Sequence, residues 1–327
     1  MSKPMFAAAA LLLAAAGPAT GHTESAFPLV DWSIERSGNQ SGKVQLALRT
    51  RSNRGNGSSN WSTDYSLSEL QGLSANQLEG RGAGPVRFAL VREAGRLDCN
   101  GSAGNRVGNG TCRFTADQGF AALLQSRGVG RPDPKDSYHL AMSAVGRGHL
   151  DALAANGYPT ASVSQLVALG IHGATPGYIQ ALAQSGYRLK SADSLVAFRI
   201  HGVDADYIRA MAAQGEQFRS MPADDMVAFR IHGVTPALVG AFSRLGYRQL
   251  DRGDVVAMAI HGVTPEFIES LAKLGYRDIS ADKLVQMRIH GVTPDYVRSL
   301  QESGISLPSA EQLVRLRISG FRPQRRR

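Results

Sequence analysis

The residues most suggestive of chemistry are five histidines in a regular row. His172, His201, His232, His261 and His290 each precede a glycine, in steps of 29, 31, 29 and 29 residues. A row of imidazoles is a candidate for metal binding or pH sensing, because histidine titrates near neutrality and is a common metal ligand. A metal site also needs ligands that converge on one ion, and no acidic or thiol residue keeps the same register. The histidines also fall at predicted helix ends, where an imidazole can bond the last carbonyls and oppose the helix dipole. The structural reading therefore leads. No metal or cofactor is expected, and the His row is the candidate behind a rival reading as a ligand- or metal-binding protein.

Other chemical candidates are weaker. Ser280-Ala281-Asp282-Lys283 matches a Ser-x-x-Lys nucleophile pattern, but the equivalent slots read Ser191-Ala192-Asp193-Ser194 and Pro222-Ala223-Asp224-Asp225. A helix start accounts for all three, whereas catalysis accounts for one. Gly80 to Gly84 is glycine-rich without the following helix of a nucleotide fingerprint. No stretch assembles a nucleophile, a base and an oxyanion site, so the expectation is a protein that is not an enzyme. A hydrolase with an unrecognised site is the third-ranked alternative.

The elements that must carry these residues follow from the same period. The stretch Ile260-His261-Gly262-Val263-Thr264-Pro265 recurs along the chain, and Gly-Tyr pairs at Gly157, Gly186, Gly246 and Gly275 keep the step. A fixed period of this size marks a stacked repeat. Within one unit, Ser280 suits a helix N-cap, with Asp282 in the first turn. That helix should run to about His290 and end at Gly291, a residue free to turn left-handed. Gly173, Gly202, Gly233 and Gly262 hold the same turn position. Thr293 then caps a second helix with Pro294 at its first position. Tyr276, after Gly275, can fold back on Leu271.

Each helix is about 10 residues, too short to stand alone in water, so neighbouring units must bury one another. The expected apolar stripes are Leu284, Val285 and Ile289 on the first helix, and Phe267, Ile268, Leu271 and Leu274 on the second. Worn copies bound the array. Phe120 to Arg127 reads as a first second-type helix, Ser143-Ala144-Val145 fills an early turn slot, and Ser319-Gly320-Phe321 fills the last. The 31-residue step places its extra residues around Gln217 to Met221, in a return loop.

Before the array, residues 22–115 read as an antiparallel β module. Strands are expected at Asp31–Arg36, Lys43–Arg49 and Val86–Arg92, from alternating apolar residues. Arg51 to Ser62, rich in Gly, Asn and Ser, reads as a loop, and Leu67 to Leu78 as a short helix or crossover. Cys99 and Cys112 are the two cysteines. They flank a Gly/Asn-rich link, Asn100 to Thr111, and in an oxidising compartment should form a hairpin disulfide. The expected sheet is single, with folding into a small sandwich as the variant.

Composition sets the compartment and restricts the partner. Lys3, the apolar run Phe6 to Ala16 and the small residues up to Gly21 read as a signal peptide over 1–21. A periplasmic or secreted protein follows, without a transmembrane segment after signal removal. The chain carries a formal charge of +9, but residues 22–115 hold only +3 and residues 116–327 only +5. Arg322, Arg325, Arg326 and Arg327 supply four of those five charges. The repeat body is nearly neutral, which argues against nucleic acid as a partner. This holds although the Gly-Val-Thr-Pro turn resembles that of a helix-hairpin-helix DNA module, where free amides meet phosphate. The basic tail, 321–327, is a candidate for weak contact with an anionic surface through Arg325, Arg326 and Arg327.

Leu284 to Tyr296, with its Leu-Val-x-x-Arg-Ile-His-Gly-Val-Thr-Pro-x-Tyr pattern, resembles the extracytoplasmic C-terminal repeats of bacterial sensor metallopeptidases of the β-lactam-response type. Similar repeats occur in uncharacterised exported proteins. Val86 to Gly110 is similar to the strand-rich segment of the same region. The protease motif His-Glu-x-x-His is absent, so the resemblance carries no proteolytic role. The expected whole is α+β and multidomain: the β module, then over 116–320 an αα-hairpin repeat array, an α-solenoid of period 29. The expected function is non-catalytic: an exported interaction or sensor-accessory protein that engages a protein or peptide of the cell envelope.

Overall fold

The structure is a computed structural model that describes residues 27–36, 42–50, 59–305 and 307–323. The expected signal segment, residues 51–58 of the expected loop, and Arg325, Arg326 and Arg327 lie outside the described residues.

One antiparallel sheet forms the N-terminal part. Its strands are β1 (Val30–Arg36), β2 (Lys43–Thr50), β3 (Asn60–Ser66), β4 (Leu70–Gln71), β5 (Gly84–Arg92), β6 (Gly95–Gly104) and β7 (Val107–Ala116). They lie in the order β3-β2-β1-β7-β6-β5-β4, so two meanders meet where β1 pairs with β7. A single curled sheet forms, and helix α1 (Ala75–Glu79) lies against β6.

Two local expectations fail for physical reasons. Asn60 to Ser62, assigned to a loop, begin β3, an edge strand that buries only Tyr65. Pairing with β2 makes this strand, and its aromatic residues Trp61 and Tyr65 take alternate positions opposite the buried Leu48 and Val44. The Gly/Asn-rich link between the cysteines is also strand. β6 and β7 run through it to a two-residue turn at Asn105-Arg106, both at positive φ, as a tight hairpin requires. Gly101 and Gly110 face each other across this hairpin beneath the indole of Trp32. A Cβ on either would come within 2.7 Å of that ring. Trp32 donates to the Asn100 carbonyl at 3.0 Å and is 2 % exposed. Here glycine marks close approach inside a sheet rather than a loop.

Cys99 and Cys112 sit directly opposite each other on β6 and β7 and are bonded, both buried.

The array opens with α2 (Gln118–Ser126), a lone second-type helix. Pairs follow: α3 (Pro134–Met142) with α4 (Arg147–Ala155), α5 (Val163–Ile171) with α6 (Pro176–Gln184), and α7 (Ala192–Ile200) with α8 (Ala205–Ala212). After a one-turn helix α9 (Glu216–Arg219) come α10 (Ala223–Ile231) with α11 (Pro236–Arg244), α12 (Arg252–Ile260) with α13 (Pro265–Lys273), and α14 (Ala281–Ile289) with α15 (Pro294–Glu302). A last first-type helix, α16 (Ala310–Ile318), closes the described array. First helices pack on first helices of the next unit, and second on second. The two helices turn through 85° in the α10/α11 pair and 83° in α12/α13.

The extra length of the 31-residue step forms α9, which buries Phe218. Ala144 takes the left-handed turn position at φ 55° where other units carry glycine, so that early copy is worn but intact. Sheet and array share a core. The rings of Phe27, Phe114 and Tyr138 meet mutually, and Glu93 accepts from the Arg147 amide at 3.0 Å.

Candidate interaction surface

Every repeated side chain is positioned by the turn between the two helices of its unit. The histidine is the C-cap of the first helix, and the glycine after it sits at φ 67° to 71° in Gly173, Gly202, Gly233, Gly262 and Gly291. The next residue, Ala174, Val203, Val234, Val263 or Val292, is buried and donates its amide to a carbonyl five residues back, at 2.8 Å in all five units. This is a Schellman closure. A Thr or Asp then caps the second helix. Thr264, for example, accepts from the Phe267 amide at 3.2 Å, with Pro265 at the first position.

The closure determines which side chains face outward. The first helix buries Leu284 and Met287, with Val292 folded beside them. Ile289, expected in the buried stripe, lies five residues beyond Leu284 and so projects from the opposite side. It is 54 % exposed, and Ile171, Ile200, Ile231, Ile260 and Ile318 are 51 % to 63 % exposed. One turn before each lies a valine: Val167, Val196, Val227, Val256, Val285 and Val314, all partly or wholly buried. Each unit thus presents an apolar ridge with an open isoleucine at its end.

The histidines lie beside these isoleucines, but their expected role belongs to other residues. Among the described residues no hydrogen bond joins any of the five imidazoles to a neighbour. Arginine from the following unit reaches the helix end instead. Arg230 donates through Nε to the His201 carbonyl at 3.1 Å, and Arg288 does so to His261 at 3.3 Å. These guanidinium groups also lie over an aromatic ring of the previous second helix: Arg199 over Tyr178, Arg230 over Tyr207, Arg288 over Phe267 and Arg317 over Tyr296, at 4.7–5.2 Å. Each contact pairs a cation with a ring face and with the negative end of a helix. Ala259 and Gly170 stand where α12 and α5 would carry this arginine.

Tyrosines complete the bonding between units. Tyr178, Tyr207 and Tyr296 donate to Val203, Val234 and Phe321 carbonyls of the next unit. The Gly-Tyr residues do likewise, Tyr187 to Met221, Tyr247 to Ile279 and Tyr276 to Pro308. Burial pushes the Tyr187 and Tyr207 phenols up to about 12, so they stay protonated donors across the neutral range.

The Ser-x-x-Lys candidate resolves into a cap. Ser280 accepts from the Lys283 amide, and the Lys283 ammonium turns to Gln286 at 2.8 Å. Ser191 caps α7 in the same way. Among the described residues no three His, Cys, Asp or Glu side chains are grouped to hold a metal ion. The isoleucine row and the arginine–ring contacts were missed from sequence. Their signal was present, since Arg-Ile-His recurs in register with an aromatic residue two positions after the Pro slot.

Comparison with known proteins finds no matching family model and no matching curated relative.

Proposed function

We propose that this chain is a non-catalytic, exported interaction or sensor-accessory protein whose helical array engages a protein or peptide partner in the cell envelope. The observation that carries the reading is the row of six isoleucines, each more than half exposed and each at the same position of its unit. Scattered single apolar residues on a surface need no explanation, but a periodic row on a rigid stack suits recognition of an extended partner. Supporting the compartment are the signal-like N-terminus, the disulfide, and the lack of any single helix among the described residues that is long and apolar enough to cross a membrane. The resemblance of Leu284 to Tyr296 to sensor metallopeptidase repeats points the same way.

The test compares capture from envelope extract by the wild-type protein, by Ile231→Ser/Ile260→Ser/Ile289→Ser, and by His232→Gln/His261→Gln/His290→Gln. The reading expects a saturable partner lost with the isoleucine set and largely retained with the histidine set. Equal capture by all three contradicts it. Zinc binding that vanishes with the histidine set would move the assignment to the metal-binding rival.

A further inference from the structure

The side-chain bridges between successive units are of three kinds. A tyrosine in the loop before one first helix donates to the carbonyl preceding the N-cap of the next: Tyr187 to Met221, Tyr247 to Ile279 and Tyr276 to Pro308. A tyrosine early in a second helix donates to the next turn, as Tyr178, Tyr207 and Tyr296 do. An arginine late in a first helix covers the turn of the unit before it. A Cβ on Gly173, Gly202, Gly262 or Gly291 would come within 2.8–3.5 Å of Arg199, Arg230, Arg288 or Arg317.

All three bridges are missing between the α10/α11 unit and the α12/α13 unit. Phe218 holds the loop position. Its ring stands 6.0 Å from that of Phe229, much as Tyr187 stands 5.5 Å from Phe198, but it has no hydroxyl to offer the Leu250 carbonyl. Leu238 replaces the tyrosine at the start of α11, and Ala259 replaces the arginine of α12. A Cβ on Gly233 would accordingly meet nothing within 4 Å.

The joint between α3/α4 and α5/α6 lacks the same bridges but closes by another means. A Cβ on Gly170 would fall 2.3 Å from the Ser143 carbonyl oxygen, and one on Gly148 would fall 3.2 Å from Pro176, so the backbones there approach closely. At the later joint alanines, Ala259 and Ala237, fill both equivalent positions. Of all successive first helices, α10 and α12 make the sparsest contact. Among the described residues the one side-chain bridge left between these two units is the ion pair of Arg252 with Asp225, at 3.0 Å and well exposed. Such pairs contribute little and are screened by salt. Buried Val234, Phe242, Val255 and Met258 keep the core continuous. Apolar burial holds surfaces together without fixing their angle, which is what directional hydrogen bonds do.

We propose that this joint is a hinge: the array is two stiff segments, one up to α11 and one from α12 onward, whose relative angle changes there. The hinge divides the isoleucine row in half. Ile171, Ile200 and Ile231 lie on one segment, and Ile260, Ile289 and Ile318 on the other. Bending therefore re-angles two three-residue faces, and the hinge stands whether or not the row binds a partner.

Double electron–electron resonance on the full protein tests it. Spin labels go on exposed, equivalent positions of second helices, each pair spanning two joints. Gly177→Cys/Ala237→Cys crosses two bridged joints, and Ala237→Cys/Asp295→Cys crosses the hinge. The second distance distribution should be broader than the first. Leu238→Tyr/Ala259→Arg, which restores ring and guanidinium, should narrow the second to the width of the first. Tyr207→Phe/Arg230→Ala, which strips a bridged joint, should broaden the first. Unequal widths that respond to either variant support the hinge. Equal widths in the parent pairs, or widths that neither variant alters, overturn it.

Discussion

The sheet and the array solve the same problem in different ways. In the sheet, strands distant in sequence pair, as β1 does with β7, and a covalent bond ties the last hairpin. In the array, each unit touches little beyond its neighbours and is joined by contacts that recur each period: a buried closure, an arginine over a ring, and a tyrosine on the next carbonyl. The sheet therefore stands or falls as one cooperative piece, whereas damage to the array should stay near its point of origin. The same contrast explains the surfaces. A sheet that curls over its core leaves a cavity at its junction. A stack built from one repeated unit leaves the same isoleucine position exposed in unit after unit.

The largest expected break of this contrast is in the array core. Phe229 on α10 is fully buried, and Phe229→Ala should cost about 3–5 kcal/mol. Hydrogen exchange should show the loss concentrated in α7 to α12, with amides of β5 to β7 unchanged. Spread of the loss across the sheet would remove the distinction drawn here. Next is the disulfide. Cys99→Ala/Cys112→Ala should destabilise the sheet by about 3 kcal/mol, the usual scale for closing a loop of this length. The array helices, followed by exchange in α10 to α15, should keep their protection.

Smaller still is one hydroxyl. Tyr207→Phe removes the bond to the Val234 carbonyl but keeps the ring under Arg230, and should cost about 1 kcal/mol. Phe267 already occupies the equivalent place in the α13 unit, so the fold tolerates the change. The same latches set an alkaline limit. Tyr187 and Tyr207 are raised by burial from 10 to about 12, so their protonated form is favoured by folding. Their contribution is complete below pH 10 and is lost as pH rises towards 12. Thermal melts between those values should show a steeper decline for wild type than for Tyr187→Phe/Tyr207→Phe.

Much of the array was legible because its rules are local. Ser280, Gly291, Thr293 and Pro294 each state a cap or a turn, and the structure places them so. The outward isoleucines were misread because Val285 and Ile289 satisfy a helical stripe by spacing. What decides their direction is the return of Val292 on Met287, a contact outside the helix. The sheet was less legible because its decisive features are tertiary. β3 is completed by its pairing with β2, and the glycines of β6 and β7 lie in a paired hairpin whose Gly101 and Gly110 leave room for the Trp32 ring.

The most direct test of the central claim is urea unfolding of Ile231→Ser/Ile260→Ser/Ile289→Ser beside wild type. If the row is a surface kept clear of the packing, the three changes together should move stability by no more than about 1 kcal/mol, as exposed substitutions do. A combined loss above about 3 kcal/mol, the scale of buried apolar deletions, would place the isoleucines in the core and contradict the account.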